Sequence, residues 1–202
     1  MEPTSSPSLK DYEVLLCVTG GIACYKAADL TSKLVQAGAG VTVAMTDAAQ
    51  EFVRPLTFQS LTMREVYTSM WQSTEYYQSG HISLTERADL IIVAPATANI
   101  IAKMAQGLAD DLVSTMILAA TGSAPVLIAP AMNTRMWSAP PVQNNLKLLR
   151  DYGLHIIGPD SGRLACGTFG EGRMTQPSEI LDAAAKILLS RPPKGVAPNP
   201  GA

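Results

Sequence analysis

Charge is scarce in this 202-residue chain. Asp, Glu, Lys and Arg make up 16% of it, and 15 basic against 17 acidic residues leave a formal net charge of −2. No basic surface is available to hold a phosphate backbone, which excludes nucleic acid as a partner. At a mean hydropathy of +0.15 there are few charges to cover the exterior, so part of it is expected to be hidden in contacts between copies. Cysteine is equally sparse. Cys17, Cys24 and Cys166 form an odd set without metal-ligand spacing, which argues against a metal site or a disulfide framework and for a reducing compartment, the cytoplasm. No apolar run reaches the roughly 18 residues a membrane span requires, and residues 1–9 are rich in Pro and Ser instead of basic then apolar, so neither membrane nor export signal is expected. Neither a GxGxxG nor a Walker A glycine pattern occurs, so no motif points to a dinucleotide or a nucleoside triphosphate.

What is present alternates. Residues 12–19 (YEVLLCVT) are a continuous apolar run ending at Gly20-Gly21. Residues 22–36 then carry Ala23, Ala27, Leu30 and Leu34 at helical spacing, Gly38 closes the helix, and 40–46 (GVTVAMT) is short and β-branched. This is a βαβ unit, and it recurs: 88–94 is a buried-type strand before Pro95 and a helix from about Thr97, 125–129 a strand before Pro130, and 154–158 a last strand containing His155. Residues 55–61 read as a helix, 65–69 as an edge strand, 70–81 as a polar loop, and 177–190 as a closing amphipathic helix. The prediction is one α/β domain over 12–190, a doubly wound parallel sheet with helices on both faces, between a disordered segment (1–11) and a Pro/Gly-rich tail (191–202).

Ligands of such sheets sit outside the carboxyl ends of the strands. At the first end, Gly20, Gly21, Ile22 and Ala23 offer backbone N–H groups at a helix start, an anion site or merely a tight turn. At others, Thr46 with Asp47, and the segment Pro95, Ala96, Thr97, Ala98, Asn99, read either as ligand contacts or as helix caps. The run 130–137 (PAMNTRMW) ends a strand with Asn133, Met136 and Trp137, suited to a carboxylate and an apolar wall, or to core packing. His81 lies in a turn before a short polar helix, whereas His155 reads as structural. Residues 160–174 (DSGRLACGTFGEGRM) hold four glycines, two arginines and Cys166, a composition too flexible for an element interior, and read as a lid. Cys166 is either a nucleophile or proton donor, or a small hydrophobe; Cys17 and Cys24 read as structural.

In order, TGGIACYK, the loop histidine, PATAN with GLADDL, PAMNTRMW and ACGTFGEGRM resemble the homo-oligomeric flavin-containing cysteine decarboxylases, over nearly the whole of 13–189. The resemblance implies a Rossmann-like sheet assembled as a homotrimer or a multiple of trimers, with FMN at the subunit contact and a small-molecule substrate. Gly20, Gly21, Ile22, Ala23, Thr46 and Pro95–Asn99 would hold FMN. His81 would be the base or electrostatic partner, Asn133 and Met136 would position the substrate, Cys166 would donate a proton, and Lys26 would stand near the site. An unactivated cysteine needs an electron sink before it loses CO2; oxidation to a thioaldehyde by the flavin supplies one, and as the reduced flavin returns its hydride to the enethiolate Cys166 would supply the proton that completes the saturated thiol. The Cys-Gly pair favours the coenzyme A branch, which decarboxylates 4′-phosphopantothenoylcysteine, over peptidyl-cysteine decarboxylases, which stop at the enethiol. A non-catalytic flavin-binding regulatory subunit is a further alternative, and flavin prenyltransferases match PAMNTRMW poorly. Fusion to a synthetase is common in the family; a stand-alone enzyme and a fragment of such a fusion both fit this length.

Overall fold

The first apolar run becomes strand β1 (Glu13–Val18), buried from Val14 onward as a strand covered on both faces must be. In the computed structural model, which describes residues 8–71, 80–165, 167 and 169–195 (only the backbone of 80–83), β1 has β2 (Gly40–Met45) and then β3 (Val66–Tyr67) on one side. On the other lie β4 (Leu90–Ala96), β5 (Val126–Pro130) and β6 (His155–Ile156). The order is β3-β2-β1-β4-β5-β6, and every pair is parallel. The chain thus winds outward from β1 in one direction, then from β4 in the other, leaving a crevice above these two strands where the order reverses.

Side-chain alternation on β1 builds two cores. Val14, Leu16 and Val18 face helices α1 (Cys24–Gln36), α3 (Pro55–Thr62) and α9 (Pro177–Leu188), through Ala27, Leu30, Phe58, Ile180 and Ala184. Leu15 and Cys17 face α5 (Ala98–Gln106), α6 (Leu112–Ala119) and α8 (Pro140–Asp151), through Ile100, Ile101, Met116 and Leu146. Burial pushes the Cys17 thiol up to about 12 and raises that of Cys24, whose Sγ donates to the Thr19 carbonyl at 3.2 Å; both thiols are inert packing groups. Helix α1 ends as its Gly38 demands: φ is +94°, and the Ala39 N–H reaches back to the Leu34 carbonyl at 3.1 Å.

The structure departs from the sequence reading at several points. Strand β4 continues through Pro95 to Ala96, with a register shift between Val93 and Ala96 where proline contributes no ladder donor. Helix α4 (Gly80–Arg87) starts one residue before His81, which therefore lies in its first turn rather than ahead of it. His155 is exposed, because β6 is a two-residue edge strand. Residues 160–174 are not a structureless lid but a hairpin, β7 (Asp160–Arg163) antiparallel to β8 (Phe169–Arg173). Its glycines serve close approach: a Cβ at Gly172 would overlap the Met132 carbonyl oxygen, and one at Gly170 would stand 2.7 Å from Thr134 Oγ1. Both contacts seat the hairpin on α7 (Thr134–Trp137), where the Met132 N–H donates to the Gly172 carbonyl at 2.9 Å.

Candidate ligand pocket

The carboxyl ends of β1, β2, β4 and β5 open into one cavity of about 940 Å3, the size of a cofactor-plus-substrate site, and the base of the hairpin forms its far wall. Its floor starts with Thr19, whose buried hydroxyl donates to the Pro95 carbonyl (2.6 Å) and accepts from the Thr97 N–H (3.3 Å), tying β1 to β4. Next comes the glycine turn. A Cβ at Gly20 would fall on Ala48, so only glycine lets the turn lie against helix α2 (Asp47–Gln50). No backbone carbonyl among the described residues accepts from the N–H groups of Gly20, Gly21, Ile22 and Ala23; that of Gly21 lies by the Cys24 sulfur, and all four residues line the cavity. A row of donors without backbone partners before a helix of 13 residues is an anion cradle.

Three polar residues resolve the choice between cap and ligand contact in the same manner. Thr46 accepts from the Ala49 N–H (3.3 Å) and starts α2, Thr97 accepts from the Ile100 N–H (3.4 Å) and starts α5, and Asn133 Oδ1 accepts from the Arg135 N–H (2.8 Å) and starts α7. Each also lines the cavity. Capping orients these side chains at the strand ends, so the two readings are one arrangement. The Asn133 cap employs the carbonyl oxygen; its two N–H donors sit on Nδ2, the atom a carboxylate would need.

Of the other sequence candidates, Ala98, Asn99, Lys26 and Met136 reach the cavity, while Pro95 and Ala96, expected there too, are buried in β4 and do not line it. The His81 side chain and all of Cys166 lie outside the described residues; the neighbouring Ala165 is on the cavity wall. Lys26 is 5% exposed, and its ammonium donates to the Met174 carbonyl at 2.6 Å. Burial, helped by nearby Arg173, pulls its pKa below the ordinary lysine value, against the attraction of Asp160 and Glu179.

The sequence pattern assigns no role to Tyr25, Lys103, Asp111, Arg163 or Arg173, all of which line the cavity. Lys103 bridges Asp110 and Asp111 at 2.6 Å each, and Asp111 also caps α6 through the Ser114 N–H at 2.8 Å. Desolvation lowers the Lys103 pKa, but the two carboxylates outweigh it and leave it raised. The acidic pair after Gly107 was a visible signal for this clasp, and the two arginines of the glycine-rich segment were visible without any spacing that assigned them. Among the described residues no cluster of ligating side chains could hold a metal ion, and no helix is long and apolar enough to cross a membrane.

A Rossmann-like doubly wound sheet with an anion cradle after its first strand and a roofed cavity at its switch point defines a cofactor-binding α/β protein. The chain belongs to the Flavoprotein family, whose description matches residues 2–189. It is 53% identical over 178 residues to the coenzyme A biosynthesis bifunctional protein CoaBC of Bacillus subtilis, covering 88% of this chain and 43% of that protein. The chain thus spans about half the length of the curated relatives it matches. Among solved structures it resembles a PPC decarboxylase variant complexed with pantothenoylaminoethenethiol (TM-score 0.78, 31% identity, 89% of this chain and 99% of that one). It resembles the FMN binding protein AtHal3 equally (TM-score 0.78, 31% identity, 91% and 100%).

Proposed function

We propose that this chain is an FMN-dependent carboxy-lyase that converts 4′-phosphopantothenoylcysteine to 4′-phosphopantetheine in coenzyme A biosynthesis. The observation that carries the reading is the single cavity that joins the N–H groups at 20–23 to Asn133, Met136 and the hairpin. The cavity suits FMN: the cradle fits its phosphate, Thr46, Thr97, Ala98 and Asn99 offer polar and small contacts beside it, and a Cβ at Gly20 is forbidden. Bound FMN supplies the oxidation, and later the reduction, that an unactivated cysteine needs to lose CO2.

The chain's own residues then do the rest. Asn133 Nδ2 donates to the substrate carboxylate and fixes its plane, while Met136 walls the reacting carbon. His81 is the group assigned to accept or balance the thiol proton, and Cys166 Sγ, in the hairpin segment, to deliver a proton to the product carbon. The base of the hairpin, as the far wall, keeps water from that side of the cavity. The catalytic unit is residues 12–190 extended at both ends, because Leu9, in the segment expected to be disordered, is buried in the core and the Lys194 N–H donates to Asp89 Oδ1; it works in the cytoplasm and assembles as a trimer or a multiple of trimers. Ile22 and Tyr25 at the cavity mouth, each 62% exposed, favour cover by a neighbouring copy.

The test is purified protein supplied with FMN and then offered 4′-phosphopantothenoylcysteine or a peptide ending in cysteine. The expected result is retained flavin absorbance, CO2 release and the mass of the saturated thiol from the first substrate only. A colourless protein, or an enethiol product from the peptide, refutes the reading.

A further inference from the structure

Two cations meet on the hairpin wall of the cavity, Lys26 from α1 and Arg173 from β8, each within reach of the other's charge. The buried Lys26 ammonium is bonded to a carbonyl rather than a carboxylate. Gly162 has no side chain, and the Arg173 guanidinium occupies that side: a Cβ there would stand 3.1 Å from Nη1. Arg163, the next residue of β7, belongs to the opposite face of the hairpin. Among the described residues, neither Lys26 nor Arg173 forms an ion pair within 4 Å. Asp160, opposite Arg173 in the ladder, accepts from Thr175 Oγ1 at 2.9 Å, and Glu171 accepts from Trp137 Nε1 at 3.0 Å. Asp160 and Glu179, the latter in the first turn of α9, attract Lys26 only from beyond ion-pair distance. Like charges gathered in a concavity repel one another, and a doubly charged anion turns that repulsion into charge-assisted bonding.

Resting on the decarboxylase reading above, we propose that Lys26 and Arg173 form the subsite for the substrate's terminal phosphate, remote from the carbon that loses CO2. The carboxylate is the poorer ligand for them. Its charge vanishes as CO2 departs, so a cation there would stabilise the ground state over the transition state; a phosphate keeps its charge throughout, and holding it is uniform binding. The cofactor's phosphate already has the N–H groups at the start of α1.

The experiment uses the flavin-loaded full chain and the variant Arg173→Gln. With 4′-phosphopantothenoylcysteine and its dephosphorylated analogue as substrates, the parent should prefer the phosphorylated one in kcat/KM. The preference should fall roughly ten- to hundredfold in the variant, chiefly through KM. Equal losses on both substrates would overturn the proposal by assigning the cations to the carboxylate, and an unchanged preference would overturn it outright. A calorimetric comparison of 4′-phosphopantetheine with pantetheine needs no turnover. If the parent releases no CO2 from either substrate, the decarboxylase reading falls, while tighter, salt-sensitive binding of the phosphorylated thiol, lost in the variant, still supports the subsite. Equal affinities refute it. A variant that loses FMN but keeps riboflavin also refutes it, by giving the cations to the cofactor's phosphate.

Discussion

The two ends of the same sheet treat polar groups in opposite ways. At the amino end everything is paired: Glu13 is clasped through both oxygens by Arg64, and its N–H donates to Asp89 Oδ2 at 2.8 Å. Asp89 Oδ1 takes the Lys194 N–H at 2.7 Å, and the Tyr12 hydroxyl donates to the Arg191 carbonyl at 2.8 Å. At the carboxyl end, among the described residues, the N–H groups of 20–23 find no backbone acceptor, Lys26 and Arg173 form no ion pair, and that buried lysine sits below its ordinary pKa. Buried polar groups are normally satisfied, so an end that leaves its donors open is the end shaped for something else to complete. The amino end, satisfied within the chain, secures the fold.

The contrast breaks most visibly at Gly20. Gly20→Val drives a side chain into Ala48 and should weaken FMN binding by roughly a hundredfold; normal flavin content after gel filtration would show that the cradle does not hold the cofactor. Asn133→Ala removes both the α7 cap and the Nδ2 donors. It should keep its flavin, lose about 1 kcal/mol of stability and turn over roughly a hundredfold more slowly, a split read from absorbance, melting and CO2 release on one preparation.

At the other end, Asp89→Asn sets an amide donor against one of two backbone N–H groups in a site 2% exposed. It should cost about 2 kcal/mol in urea denaturation with turnover intact; a lost activity would mean that the amino end serves the site. The smallest effects have opposite signs with pH. The Arg64 hydrogen bonds hold the Glu13 carboxyl below its usual value, so its contribution is present at neutral pH and disappears as pH falls through the lowered folded pKa. Glu13→Gln should therefore lose up to about 1 kcal/mol at pH 7, a cost that shrinks as pH falls below the ordinary carboxylate value. Lys26 is the reverse case. Its folded pKa is depressed, so charging it opposes folding below that pKa, and the penalty lifts as pH rises toward about 10.4. Lys26→Met should match or exceed the parent's stability at pH 7, with the gap closing at high pH. Parallel pH profiles for the two variants would erase the distinction between the ends.

Legibility in the sequence depended on range. The alternation of apolar runs with 3.6-period stretches marked β1, α1, β2, β4, β5 and α9 nearly to the residue, because each element's burial pattern is written in consecutive positions. Helices α6 and α8 and the hairpin went unread. Leu112–Ala119 is apolar nearly all round and shows no period, Pro140 and Pro141 at the start of α8 look like a loop, and glycines that permit close approach are locally indistinguishable from glycines that permit disorder.

By itself the sequence determined the doubly wound architecture, and with it the strand ends at which Gly20 makes its turn and Thr46, Thr97 and Asn133 cap the succeeding helices, since strand, turn and cap are encoded within a few residues of one another. Only the tertiary structure decided that these four ends share one cavity, that Lys103 bridges two acids beside it, and that Lys26 meets Arg173 from 147 positions away. Convergence of charges is set by packing distances in space, and no local pattern in the chain records it.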